Sequence, residues 1–218
     1  MSRTNAPVHF CMTGGRAIFL DLHRNRYFAL PSASNARFAQ IVGEGRMGTL
    51  SADGLEQFAT GENVTADSIR PSDTASSTAD PTCDRRAEPE TPVSIRLVLL
   101  AWITGLTAKL LVRLCPLRVL LARLPSGTGH DVGAADYPDM DRIAAAFRKA
   151  GLLMASDGNC LPLTLAFVWL CRCFGHNPAL VIGVRVNPFA AHCWSQLGTS
   201  VLNDSCERVR PFQPILIL

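Results

Sequence analysis

Between residues 61 and 92 the chain almost runs out of large apolar side chains, and Ser, Thr, Asp, Pro and Glu take their place. A segment of that composition cannot bury enough apolar surface to offset the entropy of ordering it. It is the clearest domain boundary in the chain. It predicts a small module over residues 1–62, a mobile linker over 63–92 and a larger domain over 93–218. The flanking parts hold ample core material, since 48% of the 218 residues are hydrophobic and 18% charged.

The formal net charge is +3, and the arginines are scattered. Nucleic-acid binders gather their charge into a basic stripe, so no nucleic-acid partner is expected. The most apolar stretch, residues 95–124, is interrupted by Lys109, Arg113, Arg118 and Arg123, and its uncharged part covers 12 residues. A membrane span needs about 20, so the stretch reads as a buried or amphipathic helix pair broken at Pro116, with no membrane span. Met1 to Ala6 is polar and carries no secretory signal, which favours a cytoplasmic location. The eight cysteines then read as free thiols in a reducing compartment. No C-x-x-C pair occurs, and Cys171 and Cys173 point apart on a helix, so no metal cofactor is expected.

Residues 8–30 alternate in polarity. Val8, Phe10 and Met12 lead into the turn signal Gly14-Gly15; a second apolar run ends at Leu22, and a third covers Tyr27 to Leu30. The pattern predicts a three-stranded antiparallel meander. Two helices follow, one capped by Ser34 and ending near Val42, the other over residues 50–58 with Ser51 as its cap. Gly43-x-Gly45-x-x-Gly48 matches the dinucleotide-binding string, but a helix precedes it where that motif needs a strand. It reads as a helix-ending loop.

Beyond Pro116, residues 138–153 form an amphipathic helix with Pro138 at its start, residues 161–174 a second helix, and residues 179–186, 192–197 and 200–203 strands. The fold class is α+β. Cys160 stands directly before a helix, with Asn159 or Asp157 as its cap. A thiol there feels the positive end of the helix dipole and free backbone N–H groups, which favour thiolate and can hold an oxyanion. A thiolate attacking an amide needs a proton donor for the leaving amine, and a carboxylate can fix that donor's tautomer. Of five histidines, His192 is the one on a strand that can aim back at a helix terminus, and Asp204 follows across a hairpin. A core cysteine with an unrelated surface histidine is the competing reading of the same residues.

Asn159-Cys160-Leu161-Pro162-Leu163-Thr164-Leu165-Ala166 resembles the nucleophile region of the lasso-peptide B proteins, the leader peptidases of lasso-peptide biosynthesis. So do Leu180-Val181-Ile182-Gly183-Val184, Pro188-Phe189-Ala190-Ala191-His192-Cys193-Trp194 and Val201-Leu202-Asn203-Asp204. The resemblance implies a transglutaminase-like cysteine peptidase domain over 93–218 with Cys160, His192 and Asp204 as its catalytic triad. Ile18-Phe19-Leu20-Asp21-Leu22 followed by Tyr27-Phe28-Ala29-Leu30 is similar to the family's leader-recognition module, a winged-helix-like βββαα unit whose third helix would fall near residues 65–70. Arg26, Tyr27, Phe28 and Leu30 would then bind the leader, which adds as a strand to the third strand's edge. The implied partners are a lasso precursor peptide and an ATP-dependent macrolactam synthetase. No cofactor is implied beyond nucleotide used by that synthetase. Cys193 and Ser195-Gln196 depart from the family pattern beside the proposed base, Cys193 reading as a small side chain facing away. Another thiol acyltransferase or transglutaminase on the same fold, and a non-catalytic precursor-binding protein, stay open as alternatives.

Overall fold

The computed structural model describes residues 8–44, 69–71, 80–84, 92–125, 138–153 and 158–218. Strand β1 (Val8–Thr13) turns into β2 (Arg16–Asp21) through Gly14 and Gly15, whose φ values are +54° and +73°. Two left-handed residues match the right-handed twist of a tight hairpin, and glycine adopts them without steric cost. Asp21 Oδ1 accepts the backbone N–H of His23 and Arg24 at 2.8 and 2.9 Å, which folds the next turn into β3 (Arg26–Ala29). The expected meander is present.

Helix α1 (Ser32–Gly43) begins immediately after Pro31, so Ser34 lies inside it and caps nothing. Pro31, with φ −56° and no N–H, ends the strand and opens the helix one turn earlier than expected. Asn35 instead ties the helix to the hairpin: its Nδ2 donates to Gly15 O at 2.8 Å and its Oδ1 accepts Ala17 N–H at 2.8 Å. The second helix expected over 50–58, and the glycine string beyond Glu44, lie outside the described residues.

Strand β4 (Ile69–Pro71) pairs in parallel with β1, giving the first sheet the order β3-β2-β1-β4. The end of the helix expected near 65–70 is therefore a strand, because the open edge of β1 offers its backbone partners. Strand β5 (Cys83–Asp84) joins the second sheet beside β8. The segment expected to be a linker thus carries a short strand of each sheet.

Helix α2 (Ile95–Leu114) is capped by Ser94, whose hydroxyl accepts Leu97 N–H at 3.3 Å, and breaks at Pro116 before α3 (Leu117–Ala122). Helices α4 (Pro138–Leu153) and α5 (Cys160–Cys173) follow. The second sheet consists of β6 (Ala179–Arg185), β7 (Ala190–Leu197), β8 (Ser200–Val201) and β9 (Gln213–Ile217), with the short α6 (Cys206–Val209) before β9. Its order is β5-β8-β7-β6-β9, and the last four strands run antiparallel.

One core joins the two parts of the chain. Alternate residues of the first hairpin face opposite ways. Phe10, Phe19 and Phe38 pack edge-on or tilted in a small cluster under α1, with centroids 5.1–5.8 Å apart. Cys11, Ile18, Leu20 and Leu22 on the other face are buried in the same cluster as Phe167 of α5 and Ile182 of β6. The unbroken apolar run Ala17–Leu20 is what a strand covered on both sides requires. The expectation of a buried or amphipathic pair at 95–124 needs correction: α2 buries one stripe, while Leu99, Ile103, Leu110 and Leu114 are more than half exposed.

The hairpin tip presses on the second sheet, where a Cβ on Gly14 would collide with Val186 Cγ2, while one on Gly15 would meet nothing. Gly15→Ala should cost about 1–2 kcal/mol for its left-handed backbone alone. Gly14→Ala should cost more, because the clash adds to the same strain. Denaturant unfolding of the two variants measures the difference; equal losses would contradict the contact.

Candidate active site

Cys160 is the first helical residue of α5, with Asn159 at the N-cap position making no side-chain capping bond. Pro162 in the first turn has no N–H, which is tolerated where helix donors are unpaired in any case. His192 sits on β7 opposite Gly183 of β6. A Cβ at Gly183 would lie 2.7 Å from the Trp194 ring, so glycine there gives Trp194 its place beside the His192 ring, 6.2 Å away and nearly parallel. Phe212 covers His192 at 5.2 Å, and the Arg185 guanidinium lies 5.3 Å over Phe212.

Asp204 stands beyond β8, in the bend that leads to α6. The expected strand over 200–203 stops at Val201, where side chains take up the donors of the neighbouring backbone. Asn203 Oδ1 accepts Ser195 N–H at 2.7 Å, and Asp204 Oδ1 accepts Ser205 N–H at 2.7 Å. The other carboxylate oxygen of Asp204 lies 2.6 Å from His192 Nε2. Both side chains are 14% exposed, so solvent screens this pair little, whereas Arg208, 3.7 Å from Asp204 Oδ1, is 71% exposed and adds little.

His192 also hydrogen-bonds Cys160. With Nε2 held by Asp204, Nδ1 is the ring nitrogen that faces the thiol. Burial pushes the Cys160 thiol up, but the hydrogen bond and charge of His192 and the N–H groups of Cys193 and Leu161 outweigh it, leaving the thiol below its ordinary value. Burial works against a charged His192 as well, and is outweighed by Asp204 and Cys160, which raise it to about 9. Asp204 follows the same pattern: burial raises it, while His192 and the Ser205 N–H lower it further. All three shifts favour the charged forms: thiolate, imidazolium and carboxylate. Burial pushes Cys11, Cys171 and Cys193 the other way.

Thr164 and Asn203 complete the framework, and neither stands out in the sequence. Thr164 Oγ1 donates to Cys193 O at 3.1 Å and accepts Asn203 Nδ2 at 2.8 Å. This chain joins α5, β7 and the bend that carries Asp204. The signal was a lone hydroxyl four residues after Cys160 in an apolar run. Cys193 is buried in the main core with its side chain on the strand face opposite His192, as its small size suggested.

A cleft of about 730 Å³ opens over Cys160, His192 and Asp204, with Arg185, Glu207 and Arg208 at its wall. Among the described residues, no group of three or more His, Cys, Asp or Glu side chains is arranged to hold a metal ion. The sequence profile of the transglutaminase-like superfamily matches residues 102–217, more than half of the chain and the whole of this site. The chain belongs to the transglutaminase-like superfamily. Its fold is that of thiol peptidases and acyltransferases. Searches of curated proteins and of solved structures return no match.

The four residues expected to grip a leader are dispersed. Arg26 is exposed at the start of β3. Phe28 stacks on Phe19 at 5.0 Å, and Leu30 is buried with it. Tyr27 points the other way, its ring 5.7 Å from Phe189 and its phenol raised by burial and by the nearby Cys193 and Cys160. Strand β3 is the edge of the first sheet, and no described strand pairs with its outer side.

The ionisation has a direct readout. Alkylation of Cys160, followed by peptide mass spectrometry, should titrate with an apparent pKa below that of an ordinary thiol. Below that pKa the sulfur is protonated; above about 9 His192 loses its proton and the thiolate its counter-charge. Asp204→Asn removes a group that holds His192 positive, so the thiol pKa should rise by about one unit or more, roughly tenfold in thiolate population at acidic pH. An unchanged titration would contradict the assigned coupling.

Proposed function

We propose that this protein is a cysteine peptidase that removes the leader from a lasso-peptide precursor. The observation that carries the peptidase part is the Cys160–His192–Asp204 arrangement on a transglutaminase-like domain. The Cys160 thiolate attacks the carbonyl at the leader–core junction. Backbone N–H groups at the start of α5, that of Cys160 foremost, stabilise the oxyanion. His192, already protonated, gives its proton to the departing amine of the core, and the leader stays on Cys160 as a thioester. Water, deprotonated by the now neutral His192, releases the leader. Asp204 fixes the ring so that Nδ1 faces sulfur throughout.

The leader reading rests on the sequence resemblance and on the free edge of β3. A peptide paired with the main chain of Arg26–Ala29 would lie beside Tyr27, which touches Phe189 three residues before His192. That edge therefore leads toward the cleft. Phe28 and Leu30 contribute by shaping the strand from the core side, leaving Arg26 and the backbone to meet the leader. The freed core amine is the substrate of the ATP-dependent macrolactam synthetase.

Incubation with a precursor peptide, read by mass spectrometry, tests the reading. Wild type should cut at one junction. Cys160→Ala and His192→Ala should lower the rate by a factor of roughly 10³ or more while leader binding, read by fluorescence anisotropy, persists. The basic limb of kcat/KM should fall near the His192 value of about 9. Cleavage by Cys160→Ala at the wild-type rate would remove the nucleophile. Transfer of the acyl group to an added amine in preference to water would favour the acyltransferase alternative.

A further inference from the structure

The packed stripe of α2 consists of Ala101 and Gly105, with Leu97, Val98, Ala108 and Val112 partly buried beside them. It faces α4 and α5. On the opposite side Leu99, Ile103, Leu106, Leu110 and Leu114 recur every three or four residues and are 40–71% exposed. They form one apolar row about 22 Å long. Trp102 lies on one flank of the row and Leu111 on the other. Among the described residues nothing covers it.

The charges along this segment are of one sign. Residues 95–124 contain Arg96, Lys109, Arg113, Arg118 and Arg123, and no Asp or Glu. Next to the row, α2, α3 and α5 enclose an open apolar groove of about 350 Å³, lined by Leu111, Leu120, Leu165 and Trp169, with the exposed Arg123 among its walls. Trp102 and Trp169 are 38% and 43% exposed, while Trp194 is buried.

We propose that this face docks onto an anionic lipid surface, with α2 lying in the plane of the interface. A second copy would bring the same five cations against their equals. Helix α2 is long and apolar enough to cross a membrane, but its inner stripe is committed to α4 and α5, so a spanning α2 would draw Asp141, Arg142, Arg148 and Lys149 of α4 into the hydrocarbon with it. An anionic bilayer supplies both complements at once: acyl chains for the row and the groove, and headgroup charge for the cations. Tryptophans at the rim suit the headgroup boundary. The peptidase cleft is not part of this face, so the inference stands independently of the activity proposed above.

Flotation of the full chain with vesicles tests it, comparing phosphatidylcholine alone with phosphatidylcholine mixed with phosphatidylglycerol. The protein should float with the anionic vesicles, and at least tenfold less with the neutral ones. Tryptophan emission should shift to the blue on binding. Arg113→Glu with Arg118→Glu should weaken binding roughly tenfold or more. Ile103→Glu with Leu110→Glu, at exposed positions, should abolish flotation while the far-ultraviolet circular dichroism stays unchanged. Absence of flotation with either vesicle, equal binding to both, or binding that survives Ile103→Glu with Leu110→Glu would each overturn the inference. Self-association in solution that those two substitutions remove, without vesicle binding, would assign the face to a second copy and overturn it too.

Discussion

The site depends on how the start of α5 is seated against β7. Thr164 Oγ1, one turn into the helix, donates to Cys193 O and receives Asn203 Nδ2. Asn203 in turn holds Ser195 N–H. Helix α5, strand β7 and the bend that carries Asp204 are tied together in this way by one hydroxyl and one amide, both half-buried or buried. Once they are locked, Cys160 at the helix terminus, His192 beside Cys193 and Asp204 beside Asn203 have no freedom to separate. A buried polar chain of this kind stabilises little in net terms, but it fixes one arrangement against others.

Electrostatics follow from that seating. Each of the three groups is partly buried, and burial alone would keep each neutral. Each is nevertheless shifted toward its charged form, because its neighbour is charged and within hydrogen-bond reach. The ionised state is therefore collective: neutralising one member weakens the case for the other two. The aromatic cover of Phe212 and Trp194 keeps water from His192 and strengthens the pairings. The first sheet adds a lateral support, since the hairpin tip rests on Val186 and Tyr27 rests on Phe189.

Much of this was legible in the sequence where one physical signal dominated. The Gly14-Gly15 turn, the amphipathic period of α4, the apolar run of β6 and the cysteine at a helix start each follow from local chemistry. What escaped depended on partners elsewhere. Ile69–Pro71 has no strand pattern of its own and is a strand because the edge of β1 accepts it. Strand β9 opens with Gln213-Pro214 and is too short to alternate visibly, yet it closes the sheet beside β6. Asp204 was expected directly at the end of a strand over 200–203, but that strand ends two residues earlier, at Val201. Residue order and the family resemblance together singled out Cys160, His192 and Asp204, which the fold brings side by side. The clamp formed by Thr164 and Asn203 was not legible, because a threonine in an apolar helix gives no hint of the carbonyl it will meet.

The central claim is that Cys160 carries the leader as a thioester during turnover. Acid quenching of the reaction within its first turnovers, followed by peptide mass spectrometry, detects that adduct directly. The account predicts the mass of the leader, less one water, on the peptide that contains Cys160. Rapid cleavage with no adduct there, or with the adduct on another cysteine, would contradict it.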